Sequence, residues 1–137
     1  MMISKTGRQA TLALSLLAQL EPGAYTGAAQ LADRIGAPRN YLGKLLKQLA
    51  EKGLLESQKG FGGGFRLARP AGKIRIYDIL EPIDHVSKWN GCFLGRAKCS
   101  EKSPCSVHIR WSAIRNEYLL FLRETTVADI AENKVSI

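Results

Sequence analysis

Residues 31–55 read LADRIGAPRNYLGKLLKQLAEKGLL. Two short amphipathic segments flank Gly36-Ala37, and that pattern predicts a helix-turn-helix. The first segment carries Ala29, Leu31, Ala32 and Ile35 on its apolar face, with Thr26 as the expected cap and Gly36 as the stop. Pro38 suits the opening of the next helix, which runs to about Lys52 and ends at Gly53. In that helix Leu42, Leu45, Leu46 and Leu49 form one side. Asn40, Lys44 and Lys47 fall on the opposite side, with Arg39 and Tyr41 at its start. A charged face is ordinarily just a solvated face. This one has no acid before Glu51, as a helix entering a DNA major groove requires.

The stretch that follows, LLES and then KGFGGGFRLARP at residues 59–70, places two short runs around a glycine-rich turn. That is a β-hairpin, and a hairpin directly after a recognition helix is a wing. Gly62 and Gly63 let backbone approach DNA, while Lys59 and Arg66 supply charge. A nucleotide-binding glycine loop needs a helix after the glycines and a P-loop lysine; here a strand follows.

Upstream, Ser4 is positioned to cap a helix over residues 5–20 with a stripe of Leu12, Leu16 and Leu20. This is a core helix, and Lys5 and Arg8 at its start are placed to touch a phosphate. Downstream, residues 73–76 read as a short strand. A fourth helix then carries Tyr77, Leu80, Ile83 and Val86, expected to bend or start late because of Pro82. His85 reads as a packed or solvated side chain.

Residues 91–111, GCFLGRAKCSEKSPCSVHIRW, hold all three cysteines. Cys92 and Cys99 are expected on a loop. Ser103 and Pro104 look like a helix start, placing Cys105 in its first turn with His108 one turn on. A helix N-terminus favours thiolate. Three sulfurs and an imidazole suit zinc or an iron–sulfur cluster. The lack of paired C-x2-4-C knuckles tilts the choice toward a cluster. The competing readings are thiol redox chemistry and cysteines with no special role.

From Pro104 the helix should continue to about Glu124. Trp111, Ile114, Tyr118 and Phe121, with Leu119 and Leu122 beside them, form a seam broader than one small domain needs. Pairing with the same helix of a second subunit would bury it. Thr125-Thr126 then caps a short helix over residues 127–132.

The totals fit this reading. The 137 residues carry 20 basic and 12 acidic side chains, a net +8, which favours a polyanionic partner, nucleic acid first. No run reaches transmembrane length and the start lacks a signal-peptide core, so a cytoplasmic protein with reduced cysteines and no membrane partner is expected.

With these residues in place the chain resembles the bacterial winged-helix regulators of the Rrf-two family, typified by the iron–sulfur cluster regulator IscR and the nitric-oxide-sensitive repressor NsrR. The likeness rests on residues 31–55, the wing and the three cysteines ahead of the long helix. It implies a homodimer with crossed long helices, two winged domains on a palindromic DNA operator, and a cluster held by three cysteines plus one further ligand. Position by position, Cys92, Cys99 and Cys105 match the family cysteines, and His108 matches the histidine of the IscR branch, which holds a 2Fe–2S cluster. The gap between Cys92 and Cys99 is one residue longer than the commoner five, which Gly91 and Gly95 can absorb. That departure keeps a 4Fe–4S cluster open beside the favoured 2Fe–2S form.

The expected architecture is mainly α with one small β-hairpin. A winged helix-turn-helix domain spans residues 1–86, a cysteine loop 87–108, and a dimerisation helix with a short terminal helix 104–137. No nucleophile, base and oxyanion site assemble, so an enzyme is not expected. The expected function is a dimeric DNA-binding transcriptional regulator sensing iron–sulfur, redox or nitric oxide state. The rivals are a metal-free thiol-switch regulator and a zinc-stabilised protein-binding adaptor.

Overall fold

A computed structural model of the chain describes residues 3–94, 102 and 106–132. Among these described residues, six α-helices and one antiparallel hairpin follow in order: α1 Lys5–Ala18, α2 Ala28–Ile35, α3 Arg39–Glu51, β1 Leu55–Gln58, β2 Gly64–Leu67, α4 Ile76–Asp84, α5 His108–Glu124 and α6 Val127–Glu132. The mainly helical class with one hairpin is the expected one.

Helix α1 is the centre of the core. Its Ala10, Ala13, Leu14 and Leu16 are all essentially inaccessible, and α2, α3, α4, β2 and α6 all pack on it. Small alanines at the contact points let neighbouring helices approach closely. Ser4 caps it as expected, accepting from the Gly7 amide at 2.9 Å. The helix-turn-helix residues Leu31, Ala32, Leu42, Leu45, Leu46 and Leu49 complete the main core. Gly36 ends α2 in the left-handed conformation, φ 75°, which a side chain would resist.

The strands pair Leu55 with Leu67, Glu56 with Arg66, Ser57 with Phe65, and Gln58 with Gly64. Thr26 was expected to cap α2, but Gly27 holds that position without a side-chain cap. Thr26 instead exchanges two backbone hydrogen bonds with Phe65, at 2.9 and 2.8 Å. A strand-like partner for β2 outweighs the local capping preference of a threonine.

Residues 73–76 do not form the expected strand. A 3-10 turn occupies Ala71–Lys73, and Arg75 makes only an isolated bridge to Thr126. Helix α4 begins directly afterwards. Pro82 neither delays nor ends it, because the start is set upstream. Asp78 accepts from the Arg75 amide at 3.0 Å and from its guanidinium at 2.8 Å. Val86 was placed in this helix but lies beyond it, buried in a 3-10 turn over Val86–Asn90. His85 ends α4 with φ 51° and is exposed.

The long helix begins at His108, with Ser106 and Val107 in a turn before it, rather than at Pro104. The Ser-Pro start signal is local and does not set where the helix begins. Ser103, Pro104 and Cys105 lie outside the described residues. Ile76, Leu80, Val86 and Leu122 form a second core between α4 and α5, lined by Trp89, Tyr118 and Ile130. Helix α6 is capped by Thr126, which accepts from the Asp129 amide at 3.2 Å.

Burial raises the Asp78 carboxyl, but its hydrogen bonds from Arg75 lower it more, leaving it below the ordinary 3.8. A depressed acid contributes stability that is present above its unfolded value and lost as pH falls through its folded one. Asp78→Ala is therefore expected to cost about 1–2 kcal/mol at neutral pH. Urea unfolding should show the gap to wild type closing in acid, below the ordinary carboxylate range. A gap independent of pH would remove Asp78 from this role.

Candidate functional site

The site has two parts, an exposed basic face on α3 and the hairpin, and the cysteine segment where it meets α5. On α3 the four leucines turn into the core, so Arg39, Asn40, Tyr41, Lys44 and Lys47 are left on the outside. Lys5 and Arg8 are exposed at the start of α1. The Tyr41 hydroxyl is hydrogen-bonded to the Thr6 hydroxyl, which joins α3 to the start of α1. Sequence reasoning placed Tyr41 only as a DNA contact; its partner lies 35 residues upstream, on another helix, and carried no local signal.

Two of the predicted arginines are held by neighbours. Arg39 is hydrogen-bonded to Asp33 at 2.6 and 3.0 Å. The hydrogen bond from that guanidinium holds the Asp33 carboxyl below its ordinary value. Both groups are well exposed, so the pair is a weak one that competing phosphate can open. Arg66 contacts Glu56 across the hairpin at 2.7 Å and lies 4.5 Å over the Tyr25 ring. It thus links the hairpin to the loop before α2. Lys44, Lys47 and Lys59 are exposed cations that form no salt bridge among the described residues.

In the hairpin tip the Gly63 amide donates to the Gly60 carbonyl at 3.0 Å. Gly62 has φ 77° and is exposed. Gly63 has a packing reason: a Cβ there would lie 2.1 Å from the Gln58 carbonyl oxygen. At Gly64, with φ 137°, a Cβ would fall 2.4 Å from the Thr26 backbone. The sequence suggested DNA approach for these glycines; the structure adds that the turn cannot close without them.

The cysteine segment starts from the 3-10 turn after α4. Ser87 donates from its amide and hydroxyl to Glu81, at 2.8 and 2.6 Å. Burial raises the Glu81 carboxyl and these bonds lower it further, below the ordinary 4.5. Trp89 then stacks on Trp111 at 5.6 Å and packs on Tyr118 at 4.8 Å. The Trp111 indole N–H donates to the Gly91 carbonyl at 3.0 Å, and Phe93 packs on the same indole at 5.4 Å. Cys92 therefore sits between two residues anchored to Trp111, one turn along α5 from His108. His108 is itself 9% exposed. The Leu94 amide approaches the Cys92 sulfur at 3.4 Å. Cys99 and Cys105 lie outside the described residues. Among the described residues no group of three or more His, Cys, Asp or Glu side chains converges.

The predicted seam on α5 divides. Trp111 and Tyr118 turn inward with the buried His108, Leu119 and Leu122. Burial, and then the Asp84 carboxylate, push the Tyr118 phenol above its ordinary 10.0. Ile114 and Phe121 point outward, 56% and 54% exposed, together with Ile109 at 82% and Leu120 at 47%. Periodicity alone did not separate these two sides, because apolar residues lie all round the helix. Among the described residues no helix is long and apolar enough to cross a membrane.

A family model described as Rrf2, iron-dependent transcriptional regulator, matches residues 3–133. A relative from Aquifex aeolicus named as an HTH-type transcriptional regulator is 36% identical over 132 residues, covering 95% of this chain and 91% of its own. The HTH-type transcriptional regulator IscR of Cronobacter sakazakii is 26% identical over 134 residues, 98% of this chain and 82% of that one. Among solved structures, CymR, the global cysteine regulator of B. subtilis, has the same fold, with a TM-score of 0.79 at 24% identity over 97% of this chain and 98% of that one. These relatives are transcriptional regulators and not enzymes. Matched along nearly its whole length, the chain belongs to the Rrf2 family of transcriptional regulators.

Proposed function

We propose that this regulator is a cytoplasmic homodimer that binds a palindromic DNA operator, and that a cysteine-ligated iron–sulfur cluster sets its affinity. One observation carries the sensing part of this reading: the anchoring of the cysteine segment on Trp111. It brings Cys92 and the buried His108 to the same end of α5, beside an aromatic lining of Trp89, Phe93 and Trp111. Soft thiolates and one imidazole in apolar surroundings fit an iron–sulfur cluster. Cys92, Cys99, Cys105 and His108 would hold it, as 2Fe–2S in preference to 4Fe–4S. The family description, iron-dependent, supports this choice over zinc. A bound cluster supplies metal–ligand bonds that tie the segment to the start of α5. The chain's part is to transmit that tie. Trp89, on the segment, packs against Trp111 and Tyr118 of α5. The outward side of α5, with Ile109, Ile114, Leu120 and Phe121, is the proposed contact between subunits. A shift of α5 there changes the spacing of two DNA-binding faces.

On the DNA face, α3 would enter the major groove with Asn40 toward a base edge and Lys44 and Lys47 toward phosphate or bases. Lys5 and Arg8 flank it on α1, and Arg39, Tyr41, Lys59, Gly62, Gly63 and Arg66 complete the contact set. The exposure of the unpaired lysines and the lack of any acid on α3 before Glu51 support the assignment.

Three measurements test the reading. Lys47→Ala should weaken binding to all sequences and lower the salt slope by roughly one per subunit; an unchanged slope would take Lys47 off the phosphate backbone. Ile114→Glu places two like charges in one symmetric contact. Light scattering should then show monomer or aggregate with operator binding lost, and a folded dimeric variant would refute the α5 interface. Finally, anaerobic holo and apo protein should differ in operator affinity by at least about fivefold, the lower range of typical coupling. Cys99→Ala should lose the visible absorption bands and bind as apo protein, and His108→Ala less completely. Equal holo and apo affinities across a panel of operators would end the cluster-sensor reading. An iron-free protein whose affinity follows thiol oxidation would identify a thiol switch instead.

A further inference from the structure

We propose that Phe61, at the tip of the hairpin, is an apolar wedge that enters the minor groove beside the α3 contact and selects operators with an easily unstacked base step there. The inference rests on reading α3 and the hairpin as the DNA-binding face, and it adds a specificity-determining residue to that face. Phe61 is the most exposed large apolar side chain described, at 109% of its reference area. An aromatic ring left wholly in water does nothing for the fold, and on a monomer's surface it is a liability.

The ring is also held on a stiff support. Gly60 to Gly63 form a turn closed by the 3.0 Å hydrogen bond from the Gly63 amide to the Gly60 carbonyl. Gly62, third in that turn, has φ 77°, the sign a type II turn demands. Phe61 thus occupies the outer corner. Behind it, Gly63 lies so close to Gln58, and Gly64 to Thr26, that neither has room for a Cβ. The corner is thereby fixed to the strand and to the helix-turn-helix, so little ordering entropy remains to be lost on binding.

Charge decides the partner. From Ser57 to Arg69 the chain contains no acidic residue, and Lys59 stands two residues before the corner. The one acid across the strands, Glu56, is neutralised by Arg66. A polyanion suits this setting better than an apolar protein groove does. In the minor groove, which presents no thymine methyl, a phenyl ring without a hydrogen-bonding group cannot read base edges. It can discriminate only through the cost of opening a stack, which is lowest at TA and CA/TG steps.

The test uses full-length wild-type protein, Phe61→Ala, Phe61→Leu and Lys47→Ala on duplexes that the wild-type protein selects from a random pool. Each duplex carries 2-aminopurine in the flanking step under the hairpin, set either in a TA context or in a G·C-rich one. Wild type should raise 2-aminopurine fluorescence at the TA step. Phe61→Ala should abolish the rise and weaken TA-flanked binding by at least about fivefold, the low end of base–aromatic stacking. It should lose less on the G·C-rich flank, with the salt slope unchanged because no charge is removed. Phe61→Leu, which keeps an apolar wedge, should recover part of both. Wild-type affinity and fluorescence for Phe61→Ala, with Lys47→Ala weakened, would overturn the wedge while sparing the DNA face. Wild-type behaviour of both variants would overturn the wedge together with the face it rests on. Loss of self-association by Phe61→Ala with DNA binding intact would overturn it in favour of a protein contact. Thermal melting should be unchanged for Phe61→Ala, since the ring touches no core.

Discussion

Two backbone hydrogen bonds between Thr26 and Phe65 hold the hairpin to the helix-turn-helix. A two-stranded hairpin alone is marginal in water. Here β2 gains a one-residue partner on its second edge, and the Phe65 side chain is 9% exposed in the main core. The close approach requires Gly64, whose Cβ would collide with Thr26. Because Thr26 immediately precedes Gly27 and α2, this clamp fixes the hairpin relative to α2 and, through the packing of α2 on α3, relative to the exposed basic face. Arg66 adds a weaker link, from the hairpin to the Gly23 carbonyl and the Tyr25 ring.

A second set of contacts joins the cysteine end of the molecule to the same face. The Asp84 carboxylate, at the end of α4, accepts from the Ser4 amide at 3.1 Å. Gly7 lies so close to Asp84 and Leu80 that a Cβ there would be 2.6 and 2.8 Å from them. Thr6, between Ser4 and Gly7, bonds Tyr41 of α3. The start of α1 is thus packed between the end of α4, which leads into the cysteine segment, and the basic helix. Of these contacts the Gly7 approach is the tight one, while the two hydrogen bonds lie at the surface.

Helix α5 serves two surfaces. Its inward side closes the second core and anchors the cysteine segment through Trp111. Its outward side leaves Ile109, Ile114, Leu120 and Phe121 in solvent. That clustering of large apolar residues on one side of a helix, rather than singly over the surface, is what the proposed subunit contact rests on.

The sequence by itself determined the helix-turn-helix, the hairpin after it and the family. These are local matters: leucines at three- and four-residue spacing, Gly36 and Gly53 as stops, glycines around Phe61, and a net charge of +8 that fits a DNA partner. It also marked Ser4 and Thr126 as caps, because a cap acts within one turn. Tertiary structure decided whatever depends on residues far apart in the chain. Thr26 became a strand partner because Phe65 lies beside it, although its own neighbours favour a cap. Residues 73–76 failed to extend because Arg75 has only Thr126 to pair with. The inward and outward sides of α5 were separated by Trp89 and the α4 core, since a helix with apolar residues all round carries no periodicity to tell them apart. Cys92 and His108 stand as proposed ligands on spacing alone, and what ties the Cys92 segment to α5 near His108 is the hydrogen bond from Trp111 to Gly91, twenty residues apart in the chain.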